Sequence, residues 1–211
     1  MALISQWTKT GTLIKTIDIS ATNLYPIGAT TDRKYLWIFD GNLQIEQYDK
    51  LGNLMQSFAV PVATSESGDI TTDRKFLWYT DAAAASANQI DKSGNLMQSW
   101  TTTNIPSGIT TDRKFIWIIE SDEQNCYIRQ YTKAGVLTQS MNITMSINSF
   151  WCPSITTDRK HLWIADYENQ RVHRFDKSGN LIQSWVCSPN GEGPTGITTD
   201  RKYLWITSVW D

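Results

Sequence analysis

The sequence predicts an all-β fold, a closed five-bladed β-propeller with four-stranded antiparallel blades. One observation is a tract, Thr-Thr-Asp-Arg-Lys, that occurs five times and places its aspartates at Asp32, Asp73, Asp112, Asp158 and Asp200. A second tract, Lys-x-Gly, repeats with nearly the same period at Gly11, Gly52, Gly94, Gly135 and Gly179. The third observation is the phase of the repeat, because the chain begins and ends in the middle of a unit.

Each unit reads as four short strands. The first is Gly-Ile-Thr-Thr, as at 108–111, and ends in an Asp-Arg-Lys turn whose aspartate can accept backbone N–H groups. The second is aromatic and branched, as in Leu162-Trp163-Ile164, and its two apolar faces both require cover from neighbouring sheets. The third alternates and leads into a hairpin where glycine supplies a positive φ. The fourth reads Asn-Leu-x-Gln-Ser-aromatic, as at 180–185.

The phase of the repeat predicts that the ring closes. The chain opens with strands three and four, at 3–9 and 12–19, and it finishes with strands one and two, at 196–206. The last blade must therefore take two strands from each end of the chain, which removes open sheet edges. Residues 1–211 are thus predicted to form one domain, and trimming about ten residues from either end should be severely destabilising.

Two segments carry a resemblance to a known family. Gly-Glu-Gly-Pro-Thr-Gly-Ile-Thr-Thr-Asp at 191–200 and the run from Leu162 to Asn180 resemble the NHL repeat of β-propeller proteins. The resemblance extends over essentially the whole chain, with five units where six is usual and with Arg-Lys in place of the family's glycine turn. It implies a propeller fold but no single activity, because the family includes protein-interaction modules, RNA binders and relatives of lactonases.

Composition sets further bounds. The chain contains no uninterrupted apolar stretch long enough for a membrane span and no signal-peptide pattern after Met1, so we expect either an intracellular protein or one whose leader has been removed. Cys126, Cys152 and Cys187 are too few for a disulfide framework, and they are either small loop thiols or one disulfide plus a thiol. Asn142 begins a glycosylation acceptor pattern, Asn-Ile-Thr.

Basic residues are predicted to gather on one side of the ring. In a propeller the turns joining strands one to two and three to four share one side, which we call the tight-turn face. This face holds 15 of the 19 Lys and Arg residues against eight acids, a net charge of +7. Its candidate binding residues are the five Arg-Lys pairs, Arg33, Lys34, Arg74, Lys75, Arg113, Lys114, Arg159, Lys160, Arg201 and Lys202.

The opposite side, the loop face, is predicted to be acidic. It receives nearly all of the other 13 acids, among them Asp69, and with the remaining four bases this group totals −9. The longest loop, 142–153, adds aromatic residues of the kind enriched in binding hot spots. Candidate binding residues on this face are Asp81, Glu120, Asp122, Asp166, Phe150 and Trp151.

Three interpretations of this charge distribution stand side by side. The charges are merely solvated, as is usual for exposed Lys and Asp. Alternatively, the two faces are complementary and discs stack head to tail into oligomers or filaments. In the third interpretation, the basic ring binds a polyanionic, repetitive glycan or phosphates by multivalency. Sequence-specific nucleic-acid binding is not expected, because the variable loop face is acidic.

An enzyme is the alternative class. Carboxylates end the second strands at Asp40, Asp81, Glu120 and Asp166, and the resemblance to lactonase relatives implies that such groups hold Ca²⁺ at the channel mouth. We favour a capping role, because similar residues occur in nearly every blade and neither histidine has a recognisable nucleophile partner. The sequence therefore predicts a non-enzymatic binding or structural module without a cofactor. The predicted partner is a protein, including further copies of this chain, or a glycan.

Overall fold

The computed structural model describes residues 2–22, 25–62, 68–112, 114–122, 125–143, 154–187 and 193–209, which form five four-stranded antiparallel sheets. The strands are β1 Ala2–Trp7, β2 Leu13–Asp18, β3 Pro26–Thr31, β4 Leu36–Asp40, β5 Gln44–Tyr48, β6 Leu54–Ala59, β7 Ile70–Thr72, β8 Leu77–Asp81, β9 Ser86–Ile90, β10 Leu96–Thr101, β11 Ile105–Thr111, β12 Phe115–Ser121, β13 Cys126–Thr132, β14 Leu137–Asn142, β15 Ser154–Thr157, β16 Leu162–Asp166, β17 Arg171–Phe175, β18 Leu181–Val186, β19 Pro194–Thr199 and β20 Leu204–Val209. Within these ranges no helix is long and apolar enough to cross a membrane.

Each sheet is one blade of a ring. Blades 1 to 4 are β3–β6, β7–β10, β11–β14 and β15–β18 in chain order, and blade 5 is β19-β20-β1-β2. The first strand of every blade contacts the first strand of the next, and β19 contacts β3 to complete the circle. These five strands line the central channel. The predicted five-bladed propeller is confirmed.

Blade 5 closes the ring with both ends of the chain. Strand β1 pairs antiparallel with β20 from Ala2↔Val209 to Trp7↔Leu204, and on its other edge it pairs with β2. Every residue of β1 is buried. The interlock predicted from the phase of the repeat is therefore present, and β1 is an interior strand of its sheet.

The second strand of each blade is largely buried, and the fourth strand is the most exposed. In their described part the second strands are buried except at Phe115 and Ser208, which are partly exposed, and their tryptophans Trp37, Trp78, Trp117, Trp163 and Trp205 are at most 2% exposed. These tryptophans lie between neighbouring blades, where Trp163 packs in one cluster with Trp7 and Cys187. The fourth strands face solvent along most of their length. A sheet with apolar residues on both faces is stable only because the ring covers both.

Candidate functional site

A ring of ion pairs joins the blades on the tight-turn face. The repeat aspartate of each blade pairs with the hairpin lysine of the blade that follows it. The measured Nζ–Oδ2 distances are 2.7 Å for Lys9–Asp158, 3.6 Å for Lys50–Asp200, 2.5 Å for Lys92–Asp32 and 2.5 Å for Lys133–Asp73, and Lys177–Asp112 completes the ring. All five blade junctions are thus bridged, including the two made by blade 5.

The buried tryptophans reinforce this ring. In four blades the indole Nε1–H donates to the repeat aspartate, as in Trp205 to Asp200 at 2.9 Å. The bridging lysine also lies over the same indole, with Lys50 Nζ 4.3 Å from the centre of the Trp205 ring. Burial opposes ionisation of the aspartates, but the lysine, indole and backbone donors outweigh it and lower the pKa of all five. The pKa of Asp158 falls to about 2.

Replacing one ring aspartate should destabilise the fold in a pH-dependent way. We expect Asp158→Asn to lower the free energy of unfolding by roughly 2 kcal/mol at pH 7, from the depressed pKa of the carboxyl. A depressed pKa stabilises the fold above the unfolded value of 3.8, and this contribution is lost as the pH falls towards 2. Urea denaturation across this range measures it. A difference that stays constant down to pH 2 would contradict the assigned role.

The turns that carry the Arg-Lys pairs are built by threonine and aspartate. In blade 1, Thr31 Oγ1 accepts the N–H of Arg33 at 3.1 Å and donates to the carbonyl of Tyr35 at 2.7 Å. Asp32 Oδ1 accepts the N–H groups of Lys34 and Tyr35. The same bonds recur in blades 2, 4 and 5. Threonine and aspartate thus hold the backbone of the turn.

The arginine of each such turn has a strained backbone. The φ angles are 84° at Arg33, 81° at Arg74, 80° at Arg159 and 86° at Arg201. A side chain in this region costs about 1 kcal/mol or more, whereas glycine adopts it freely. Four described blades therefore keep an arginine where glycine would be the relaxed choice.

These four arginines surround a cavity on the axis of the ring. The cavity has a volume of about 150 Å³, and the described residues of its wall all belong to the Thr-Asp-Arg turns of the five blades. Threonine contributes from every blade, and the ring aspartates Asp73, Asp112, Asp158 and Asp200 also reach it. Because those aspartates are paired with lysines, the arginines add net positive charge around the axis.

The neighbouring lysines lie on the outside of the turns. Lys34, Lys75, Lys114 and Lys202 each stack over the aromatic ring of the next residue, at 4.7 to 4.9 Å from its centre. None of them contributes to the wall of the cavity. In blades 1, 2 and 5 the Arg-Lys pair thus divides its two charges between the axis and the surrounding surface.

Deeper in the channel, Asp69 fills the axis, and sequence reasoning missed this. We predicted it on the acidic loop face, which is wrong: Asp69 is 2% exposed. Its Oδ2 accepts the N–H groups of Ile109 and Ile155 and the hydroxyl of Ser154, at 3.2, 3.3 and 2.7 Å. Its Oδ1 accepts the N–H of Ile70 at 2.8 Å.

The repeat itself held the signal for Asp69. The position two residues before Thr-Thr is glycine in blades 1, 3 and 5, but it is Asp69 and Ser154 in blades 2 and 4. A Cβ at Gly28 would lie 2.6 Å from Asp69 Oδ1, so glycine makes room for the carboxylate. One carboxylate therefore accepts hydrogen bonds from several blades at the axis, and it fits because Gly28 beside it has no side chain.

The carboxylates that end the second strands cap local backbone. Asp40 Oδ1 accepts from Asn42 N, Asp81 Oδ1 from Ala84 N, and Asp166 Oδ1 from Asn169 N. Glu120 accepts from Asn104 N at 2.8 Å and pairs with Arg129. All four are at most 3% exposed, so they lie beneath the surface that a partner would touch. Asp122, another predicted loop-face residue, is exposed.

Burial and pairing also shape the chemistry of these groups. Burial raises the pKa of Asp40 and of Glu120. At Asp166 burial acts in the same direction, but the hydrogen bond from His173, at 3.2 Å, and the loop donors outweigh it and lower the pKa. Burial raises the pKa of Cys187 to about 12, so this thiol is not an activated nucleophile.

Other predicted residues are distributed as follows. Arg113, Phe150, Trp151 and Cys152 lie outside the described residues. Lys160 is exposed on the tight-turn face beside Arg159, as predicted. Among the residues that the structure describes, no three His, Cys, Asp or Glu side chains gather in a way that could hold a metal ion. The four strand-end carboxylates instead lie in four separate blades.

Comparison with known proteins identifies the fold of this chain but no family and no activity. No family model and no curated protein matches the chain, so the NHL resemblance stays a prediction. A solved structure of Myxococcus xanthus glutaminyl cyclase superposes with a TM-score of 0.70 at 10% identity, covering 100% of this chain and 97% of the other. A chain of the nidogen/laminin complex superposes with a TM-score of 0.61 at 14% sequence identity. The match covers 94% of this chain and 98% of the other.

A third similar structure is a catalytically inactive virginiamycin B lyase from Staphylococcus aureus with quinupristin. It has a TM-score of 0.56 at 18% identity and covers 99% of this chain and 74% of the other. Enzymes and a protein complex thus occur among the similar structures. At these identities the likeness shows that this chain is a β-propeller.

Proposed function

We propose that this propeller is a non-enzymatic binding module and that its tight-turn face holds a polyanion of repeating negative charge, such as a sulfated glycan. The observation that carries the proposal is that the described acids on this face are engaged in ion pairs or hydrogen bonds within the protein. The five repeat aspartates pair with the hairpin lysines. Asp49, Asp91 and Asp176 cap their own hairpins. The Arg-Lys turns therefore set the charge presented to a partner.

Repetition suits such a ligand. The Arg-Lys turns of blades 1, 2, 4 and 5 offer the same two cations at the same place in each blade, so a chain with regularly spaced anions can engage several turns together. An exposed ion pair contributes only about 0.2–1 kcal/mol. Several linked contacts raise the affinity through effective concentration, and the binding should weaken steeply with salt.

Head-to-tail stacking, the other binding hypothesis, has less support. It requires an acidic loop face that can reach the basic face of another copy. Asp40, Asp69, Asp81, Glu120 and Asp166 are all buried and occupied by internal donors. The loop face thus exposes fewer acids than its composition predicts, and self-assembly becomes an outcome of the test.

The NHL resemblance belongs to the same proposal, since that family includes non-enzymatic binding modules. A lactonase-like hydrolase remains the runner-up. Its candidate carboxylates are separated among blades, and each accepts a backbone N–H: Asp40, Asp81 and Asp166 from the loop that follows them, and Glu120 from Asn104. The similar solved structures include a lyase and a cyclase, but at 18% and 10% identity they bear on the fold alone.

Immobilised dextran sulfate, with unsulfated dextran as the matched control, tests the proposal. We expect the protein to bind only the sulfated polymer and to elute as salt is raised. Changing Lys34, Lys75, Lys160 and Lys202 together to serine should weaken binding by roughly 4-fold to several hundred-fold, because four contacts of this size total roughly 0.8–4 kcal/mol. Light scattering at low and high salt reports self-association.

Two results would overturn the proposal. One is equal retention on the sulfated and unsulfated polymers. The other is a ligand-free protein whose mass at low salt far exceeds 24.0 kDa and falls as salt rises, since this would assign the basic face to stacking.

A further inference from the structure

The axial arginines have a feature that the polyanion proposal does not require. A repeating polymer needs positive charge on the tight-turn face, and lysine or arginine anywhere in the turn would supply it. The chain instead keeps arginine at positive φ in four described blades, although Thr and Asp hold the turn and glycine would relieve the strain. Strained residues of this kind cluster at functional sites. An arginine retained at such a position indicates a role of its side chain beyond the geometry of the turn.

The position of the arginines indicates that purpose. Arg33, Arg74, Arg159 and Arg201 all line the one axial cavity, whereas the lysines beside them stack outward on aromatic rings. Guanidinium groups bind oxyanions through planar, forked pairs of N–H donors, which a lysine cannot match. Convergence of several such groups from different blades creates one site per chain.

The cavity also suits the size and polarity of an oxyanion. Its volume of about 150 Å³ accommodates a group of five heavy atoms with water around it. Threonine residues from all five blades are part of its wall, but their hydroxyls already donate to the carbonyls of their own turns, so the guanidinium groups are the donors for an anion. The carboxylates in the wall are already paired with Lys9, Lys50, Lys133 and Lys177, so their charge is compensated.

We propose that the axial cavity is a binding site for a single tetrahedral oxyanion, a phosphate or a sulfate, held by the converging turn arginines. The ion is either free or the ester group of a larger molecule. In the second case the cavity would select one group of a bound polymer, while the outer lysines contribute charge without selectivity. The site does not depend on the polymer, because a free ion fills it.

Isothermal titration calorimetry with inorganic phosphate and with inorganic sulfate, at constant ionic strength set by chloride, tests this inference. We expect saturable binding with one ion per chain. The triple variant Arg33→Gly, Arg74→Gly and Arg201→Gly should weaken binding at least tenfold while its melting temperature stays equal or rises, since glycine relaxes the turns. The matched control Lys34→Ser, Lys75→Ser and Lys202→Ser removes the same charge from the same turns and should keep phosphate binding within a few-fold.

Each outcome has a defined meaning. Absence of saturable binding for both ions at millimolar concentration overturns the inference, as does an equal loss in the lysine variant, which would indicate general electrostatic attraction. Glucose 6-phosphate and glucose 6-sulfate identify the source: tighter binding of an ester than of its free ion indicates a carried group, and the reverse indicates a free ion. Dextran sulfate binding without ion binding would contradict this site and leave the polyanion proposal intact.

Discussion

Removal of residues 1–9 is expected to leave a chain that does not fold. Strand β1 is an interior strand that joins β20 to β2, and all of its residues are buried. Leu3, Ile4 and Trp7 each bury a large apolar side chain, worth about 1.5–3 kcal/mol apiece. Their sum approaches the roughly 5–15 kcal/mol that stabilises a whole domain.

Loss of β1 would also separate blade 5 into disconnected strands. Strand β2 would lose its partner, and Trp205, which packs in one cluster with Ile4, would lose cover. Far-UV circular dichroism, tryptophan fluorescence and size exclusion report the result. A truncated protein that unfolds cooperatively and keeps the native fluorescence would contradict the role given to β1.

A circular permutant separates the contribution of β1 from that of chain connectivity. Ala2 and Val209 are cross-strand partners, so a short Gly-Ser linker can join the two ends. New ends placed within 63–67, between blades 1 and 2, leave every blade continuous in the chain. We expect this permutant to fold, because it retains every strand. If it fails to fold as the truncation does, the interlock itself is indispensable.

The fold was predictable because its signals repeat. Five copies of a buried strand such as Leu162-Trp163-Ile164, each needing cover on both faces, fit a ring, and the phase at Leu3 and Ile206 predicted how the ring closes. Hairpin glycines such as Gly179, at φ 89°, have the positive φ that their bulges require. Because each signal occurs in several blades, a departure from it in one blade does not hide the pattern.

The candidate site was only partly predictable. The Arg-Lys pairs placed positive charge correctly on one face, but the sequence does not show that Lys92 reaches across to Asp32 in the preceding blade. Nor does it show that Arg33 lies toward the axis while Lys34 lies outward, since this division depends on a positive φ in a residue that rarely adopts one. Such features depend on the packing of several blades together.

The pH dependence of stability should be governed by Asp69. Burial raises the pKa of this carboxyl to about 7, even though the four hydrogen bonds it accepts favour the ionised form. The unfolded chain releases the proton near 3.8, so between these values the folded protein binds one proton more. The free energy of unfolding should therefore be highest near pH 4 and fall as the pH rises towards 7, by about 4 kcal/mol from the difference in pKa.

Asp69→Asn provides the test, because asparagine preserves the shape of the side chain but cannot ionise. Urea denaturation of the natural protein should show the decline between pH 4 and 7, and the variant should lose most of it, keeping only what Asp40 and Glu120 contribute through their raised pKa values. Asp91→Asn is the matched control: Asp91 caps its own exposed hairpin, and its lowered pKa keeps it ionised across this range. A slope unchanged in Asp69→Asn would mean that the carboxylate stays ionised throughout. In that case the three backbone N–H donors and Ser154, converging from blades 2, 3 and 4, would outweigh the cost of burial on the axis.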